Sequence, residues 1–312
     1  MGSRRGPVEM IAAPAEVRKI LEDETWSVAD ATANFNAVSD RCGERLSLSA
    51  RVVSFMPLAW EGAEHSRYRR ASAMEIALPA EDDLTAGYKS ILIGKADRQA
   101  KGGESGDLLA TLAGPLTDHT LLSASRHLAS GCDQLRTNLS NALNEEGGLD
   151  RFFDPSASVG RRLKNEAVLR RMMELLISAG FNENTAIDAC RIFVMGRDPL
   201  RSVFAGLLRQ FDVGRSVLDE IPLGVRWAMR VRPDDRRPVR LDLTGDPNLV
   251  FGAGRHRCTG KALAVRAAAA FRQAMTDTGF EVVIHRFEPC QENAVLATPA
   301  VLEGCLRRKG NG

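Results

Sequence analysis

The sequence predicts a mainly α-helical protein. Apolar residues recur at 3.6-residue spacing over long segments and rarely alternate. Aromatic residues make up only 5% of the 312 residues, while alanine and leucine are abundant. No internal repeat or low-complexity linker divides the chain, and 44% apolar residues can bury a substantial core. Residues 1–312 therefore read as a single domain.

In chain order, a first helix is predicted over 8–22 and an arginine-rich one over 63–78, ending before Pro79 because proline disfavours helix in the residue ahead of it. Further helices are expected over 85–100, 107–130 and 132–143, with glycine-rich loops at 101–107 and 144–148. The longest periodic run is 163–196. Its stretch from Leu169 to Gly180 is apolar on more than one face, as suits a helix crossing the interior. Shorter helices are expected near 198–209 and 214–220. Residues 221–250 carry prolines, glycines and many charges, which predicts irregular chain with short strands at 224–231 and 238–243. The last long helix starts just behind Cys258 and follows an alanine run to about Asp277. A small β element over 280–285 and 294–302 closes the chain.

Forty-two Lys and Arg against 40 Asp and Glu leave a formal charge of +2, which gives no case for nucleic acid or an acidic membrane as a partner. No stretch approaches the roughly 18 apolar residues needed to cross a bilayer, and the first residues lack an apolar signal core, so the expected location is the cytoplasm. The six cysteines stand without CxxC pairs, which argues against a disulfide framework or a zinc site. Five read as small buried hydrophobes.

Cys258 is the exception. It lies in Phe251-Gly252-Ala253-Gly254-Arg255-His256-Arg257-Cys258-Thr259-Gly260, followed by the helical run that contains Leu263 and Ala264. Glycines let backbone approach a flat group closely, and a helix beginning behind Cys258 directs its positive end at the sulfur, favouring thiolate. The pattern FGxGxHxCxG with LA behind it resembles, residue for residue, the heme-binding signature of the cytochrome P-450 superfamily. The resemblance implies heme b as cofactor, Cys258 as the axial metal ligand and His256 at a heme propionate. Phe251, Gly252, Gly260 and Ala264 would complete the cofactor wall.

Two further segments are similar to the same family. His65 and Arg69 match the helix in which a His and an Arg four residues later contact propionate, and i,i+4 spacing places both on one face. Arg230, in Arg-Val-Arg-Pro-Asp-Asp, resembles the propionate arginine of the strand after the family's K helix; Arg226 is the alternative. Leu175 to Thr185 aligns with the central helix over the distal heme face, where family monooxygenases carry Ala-Gly-x-(Asp or Glu)-Thr. Ala179 and Gly180 fit and are expected among the cofactor-binding residues, Asn182 stands at the acid position, Glu183 at the alcohol position, and Thr185 two residues late. Glu183, Asn182 and Thr185 are thus the catalytic candidates.

The family's Glu-x-x-Arg pair is not found in 198–250; Glu220 with Arg226 has the wrong spacing. Only 64 residues precede His65, and some 20 separate Arg230 from the cysteine loop. The resemblance therefore implies a P-450-like helical fold whose N-terminal and K-helix β-sheet lobe is reduced or missing, with Leu46–Val53 as a place where a strand could hide. The implied activity is that of a monooxygenase acting on a small organic or carrier-bound metabolite. The alternatives are a heme-thiolate enzyme using no external electrons (a peroxygenase, isomerase or dehydratase) or a noncatalytic heme protein. Implied partners are a ferredoxin- or flavodoxin-type electron donor, with Arg255, Arg257, Lys261 and Arg266 as its basic footprint, or a carrier protein.

Overall fold

The computed structural model describes residues 8–28, 30–42, 46–100, 106–128, 133–145, 149–153, 157–212, 221–222, 224–291 and 294–309. In order these form β1 (Glu9–Ile11), α1 (Pro14–Glu22), α2 (Ala31–Cys42), α3 (Ser47–Ser54), α4 (Gly62–Glu75) and α5 (Glu81–Ala100). Next come β2 (Gly106–Asp107), a π-helical turn at Leu109–Ala113, α6 (Gly114–Ala124), α7 (Asp133–Glu145), α8 (Val159–Ser178) and α9 (Glu183–Gln210). The chain ends with β3 (Trp227–Val231), β4 (Pro238–Asp242), α10 (Lys261–Thr278), β5 (Phe280–Glu288) and β6 (Val301–Arg308). The expected helix at 214–220 and most of both glycine-rich loops lie outside the described residues.

The predicted first helix starts later than expected. Pro14 occupies its first turn, where a proline loses nothing by lacking an N–H, and it holds Ala13 extended (ψ 117°). Residues 9–11 are therefore free to pair as a strand. β1 runs parallel to β4 with Met10 opposite Arg240, and β3 runs antiparallel to β4 with Arg230 opposite Val239. The β lobe is thus reduced but present. Val17, Ile20 and Leu21 of α1 pack against it with Val239, Leu241 and Leu249, and Arg232 on the outside pairs with both oxygens of Glu9 at 2.7 and 2.8 Å.

Leu46–Val53 holds no strand. It is almost entirely α3, whose first amides are capped from α8 by the buried Glu166: Leu48 N–H and Ser49 N–H donate to its two oxygens at 3.0 and 2.8 Å. The run expected as one helix over 163–196 is two. Gly180 adopts φ +92°, and Asn182 restarts the helix by accepting from Thr185 N–H at 3.0 Å. α9 then continues past 196 through Pro199, absorbing the short helix expected at 198–209, because its inward face stays apolar as far as Leu208.

α9 is the interior helix. It packs against α6, α8 and α10, with Ile187, Cys190 and Phe193 in one apolar cluster and Phe204, Leu207 and Leu208 in a second that includes α5, α10 and the β5–β6 hairpin. α10 ends on Gly279 at φ +63°, a left-handed position that turns the chain straight into β5. The hairpin runs further than expected, to Arg308, and β2 adds a third strand at its edge.

Candidate functional site

The cysteine loop is closed at its neck by Cys258 N–H donating to Phe251 O at 2.9 Å and by Gly252 N–H donating to Leu249 O at 2.8 Å. Gly252 (φ +68°) and Gly254 (φ +65°) take left-handed conformations that side chains disfavour. Gly254 is also pressed on α1: a Cβ there would lie 2.3 Å from Leu21 O. This glycine serves close packing of the loop on the N-terminal helix, a different reason from the approach to a flat cofactor argued from sequence. Cys258 then presents its sulfur just ahead of α10. The residue is exposed at the cavity mouth, yet desolvation by the surrounding protein pushes the thiol pKa up, while the amides of Gly260 and Lys261 and the charge of Arg69 act in the opposite sense. Those amide hydrogen bonds are what stabilises a thiolate at a helix start.

A cavity of about 400 Å³ opens beside the sulfur. Phe251, Gly252, His256, Cys258, Gly260 and Ala264 line it from the cysteine loop and α10, His65, Arg69 and Ser72 from α4, and Trp227 and Arg230 from β3. The sequence-predicted cofactor residues of these segments are therefore brought together. The His65 and His256 rings lie in contact, tilted by 54° with centroids 4.1 Å apart. Arg69 Nη1 donates to Arg257 O at 2.5 Å, and the buried Arg230 donates to Met229 O at 2.9 Å. Arg226, the alternative to Arg230, instead donates to Gln291 O at 3.0 Å and does not line the cavity.

The electrostatics of this rim call for an anion. Burial, with Arg230 and His65 nearby, lowers the His256 pKa to about 4, and burial lowers Arg230 to about 10. One carboxylate answers them: Glu61 stands 2.9 Å from Arg255 and 3.3 Å from His256 while accepting from Val28 N–H at 2.7 Å. Among the described residues, His65 Nε2, Ser72 Oγ and Trp227 Nε1 are buried without a hydrogen-bond partner. Sequence reasoning missed Glu61, whose only signal was its place just ahead of α4. It also misplaced Arg255, which is consumed internally by Glu61, Glu24 O and Trp26 O. Arg257, Lys261 and Arg266 do border an open groove of about 630 Å³ beside Cys258, together with Leu78 and Val265.

The residues expected over the distal face are elsewhere: Ala179 and Gly180, expected at the cofactor, lie in the turn after α8, and the catalytic candidates Asn182, Glu183 and Thr185 form the cap and first turn of α9, none of them lining the cavity. Asn182 is spent on capping α9, and Glu183 is exposed and paired with Arg51. The α9 residues on the cavity begin two turns later: Arg191, Ile192, Met195, Gly196, Pro199, Leu200 and Val203. Within Met195-Gly196-Arg197-Asp198-Pro199 it is Met195, Gly196 and Pro199 that line the cavity. Glu183→Gln is expected to change neither cofactor retention nor turnover by more than about twofold, as befits an exposed ion pair; steady-state rates and absorbance titrations of the variant check this.

Asp198 does not face the cavity. It accepts from Phe152 N–H at 3.2 Å, within a buried group where Arg197 binds Asp118 at 2.8 Å and Asp150 at 2.7 Å, and Arg201 binds Asp150 at 2.7 Å. Burial pushes the Asp198 carboxyl up to about 7. Arg191 is engaged too, donating to Phe55 O at 2.8 Å beside Asp188.

No family model matches the chain, and none of the curated proteins matches it by sequence. Solved structures do. RauA, a P450 complexed with a biosynthetic intermediate of aurachin RE, superposes with a TM-score of 0.69 at 16% identity, over 96% of this chain and 91% of that one. P450BioI in complex with acyl carrier protein ligated by hexadec-9Z-enoic acid gives 0.65 at 13%, over 96% and 92%. The chain has the cytochrome P450 fold. A thermophilic cytochrome P450 from Sulfolobus tokodaii gives 0.63 at 15% identity over 98% of both chains. Among the described residues no helix is long and apolar enough to cross a membrane.

Proposed function

We propose that this chain is a heme-thiolate enzyme, with Cys258 as the axial ligand of heme b and His65, Arg69, Arg230 and His256 as the partners of its propionates. One observation carries the reading: a cysteine at a helix start and a surplus of buried cationic and donor groups share one cavity. The residues fit the group, because a propionate at this rim would meet the orphaned His65 Nε2 and the under-compensated Arg230, and buried ions need such partners.

Bound heme supplies the redox chemistry at its iron. The chain's own residues do the rest. The amides of Gly260 and Lys261 moderate the charge on sulfur. Ile192, Met195, Leu200 and Val203 on α9, with Ile76 and Val225, give the cavity an apolar lining that excludes water and favours a small organic substrate. The leading reaction class is oxygen insertion into such a substrate, free or carried on a protein. P450BioI, with its acyl carrier protein, supports a carrier-bound substrate, and the groove bordered by Arg257, Lys261 and Arg266 suits an acidic ferredoxin- or flavodoxin-type donor.

A second reading has its own observation. Pro199 offers no hydroxyl, and Asp198 is held away from the cavity by Phe152 N–H, so α9 presents no acid–alcohol pair to move protons. This favours a reaction without external electrons, such as peroxygenation, isomerisation or dehydration. The carbon monoxide difference spectrum of the reduced protein tests the common core: the wild type should show a thiolate-type Soret band and Cys258→Ser should lose it entirely. Heme without thiolate character in the wild type would sink the proposal. Substrate turnover with peroxide alone, compared with NAD(P)H and a redox partner, then separates the two reaction classes.

A further inference from the structure

α9 is unbroken from Glu183 to Gln210, yet it contains Pro199. In an α-helix the N–H of residue 199 would donate to the carbonyl of residue 195, and proline has none. The Met195 carbonyl oxygen is thereby deprived of its helix donor. Met195, Gly196 and Pro199 all line the cavity, so the gap in the ladder opens there and not on a packed face.

The neighbours hold the helix in this position. A Cβ on Gly196 would come within 2.8 Å of Leu121 Cδ2, so α6 is seated directly against that turn. Behind Pro199, a Cβ on Gly224 would come within 2.9 Å of the Pro199 carbonyl. α6 and the Gly224 turn thus contact α9 on either side of the Met195 carbonyl. No α9 side chain on the cavity carries a hydroxyl or carboxyl, and Arg191 donates through Nη1 to Phe55 O while its Nη2 lies 3.3 Å from Asp188. A peptide carbonyl, a strong acceptor and no donor, is the acceptor this wall offers.

We propose that the Met195 carbonyl is the hydrogen-bond acceptor of the cavity and that the site selects ligands bearing an N–H or O–H next to the group held at the iron. The inference rests on the heme reading. It deepens it by naming a substrate class: a donor-bearing molecule such as an alcohol, hydroperoxide, oxime or amine, in preference to its O- or N-alkylated counterpart.

The probe pair is imidazole and 1-methylimidazole, titrated into the ferric holoprotein and followed by the Soret shift, for wild type, Pro199→Ala and Pro199→Gly. Both substitutions return an N–H to residue 199 and repair the Met195 bond. The wild type should prefer imidazole, and its affinity ratio should exceed that of either variant by about fivefold, the worth of one neutral hydrogen bond. Comparing ratios removes the bulk of the methyl group from the result. Ratios equal within about twofold across the three proteins overturn the proposal. So does a wild type that binds both probes alike, whatever the variants do. A holoprotein without a thiolate Soret band would instead defeat the heme reading, so the two failures are distinct.

Discussion

Replacing Arg197 with methionine is expected to destabilise the protein by about 3–5 kcal/mol, the usual cost of stripping one partner from a buried ionic group. Its side chain is 4% exposed, and that of Asp118, 2.8 Å away, is 1% exposed. Burial works against the Arg197 charge, but Asp118, Asp150 and Asp198 outweigh it and raise its pKa. Burial likewise pushes up the Asp118 carboxyl, with Arg197 resisting. Without the guanidinium, three carboxyl groups are left around one cation, Arg201, which reaches Asp150. Met fills most of the volume, so the loss reports charge and not a cavity. Urea denaturation of the wild type, Arg197→Met and Arg197→Met/Asp118→Asn measures it. The double variant should recover at least about 1 kcal/mol of the loss, because it removes the orphaned charge together with its partner. A single variant within about 1 kcal/mol of wild type would show that this group does not hold α9 to α6 and the 149–153 turn.

That buried group also explains what the sequence could and could not disclose. The cysteine loop was legible because its constraints are local: Gly252 and Gly254 need left-handed backbone, and Cys258 needs the start of a helix. His65 and Arg69 were legible for the same reason, standing one turn apart on α4. The wall of the cavity was not, because its position depends on how far α9 slides past the other helices, which is decided by contacts distant in sequence. The Arg197–Asp118 and Asp198–Phe152 contacts span 79 and 46 residues. Nothing near Ala179-Gly180 showed that the helix would break there, beyond Gly180 itself and an asparagine suited to capping. β1 escaped notice because a three-residue strand has too little length to show alternation; only its pairing with residues 239–241 defines it. Glu61 was invisible because its role comes from Arg255 and His256, almost 200 residues later.

Arg230→Met should weaken heme retention by roughly 10- to 100-fold, the range expected for losing a charge-assisted hydrogen bond to a buried carboxylate. Arg230 is 7% exposed. Among the described residues it forms no ion pair, donating to the neutral Met229 O, and Glu61 only partly offsets the burial that lowers its pKa to about 10. A cation in this condition is a cost to the protein alone and a gain once an anion arrives. The two states should therefore respond in opposite directions. The heme-free protein should keep its melting temperature or gain slightly on Arg230→Met, while the loaded protein should lose heme faster to an excess of a high-affinity acceptor protein. A purely structural arginine would lower the melting temperature of both forms. Arg226→Met serves as the control, since that side chain reaches Gln291 O away from the cavity and should leave heme release unchanged. Equal heme release from wild type and Arg230→Met would remove Arg230 from the propionate set and leave His65, Arg69 and His256 to hold the cofactor.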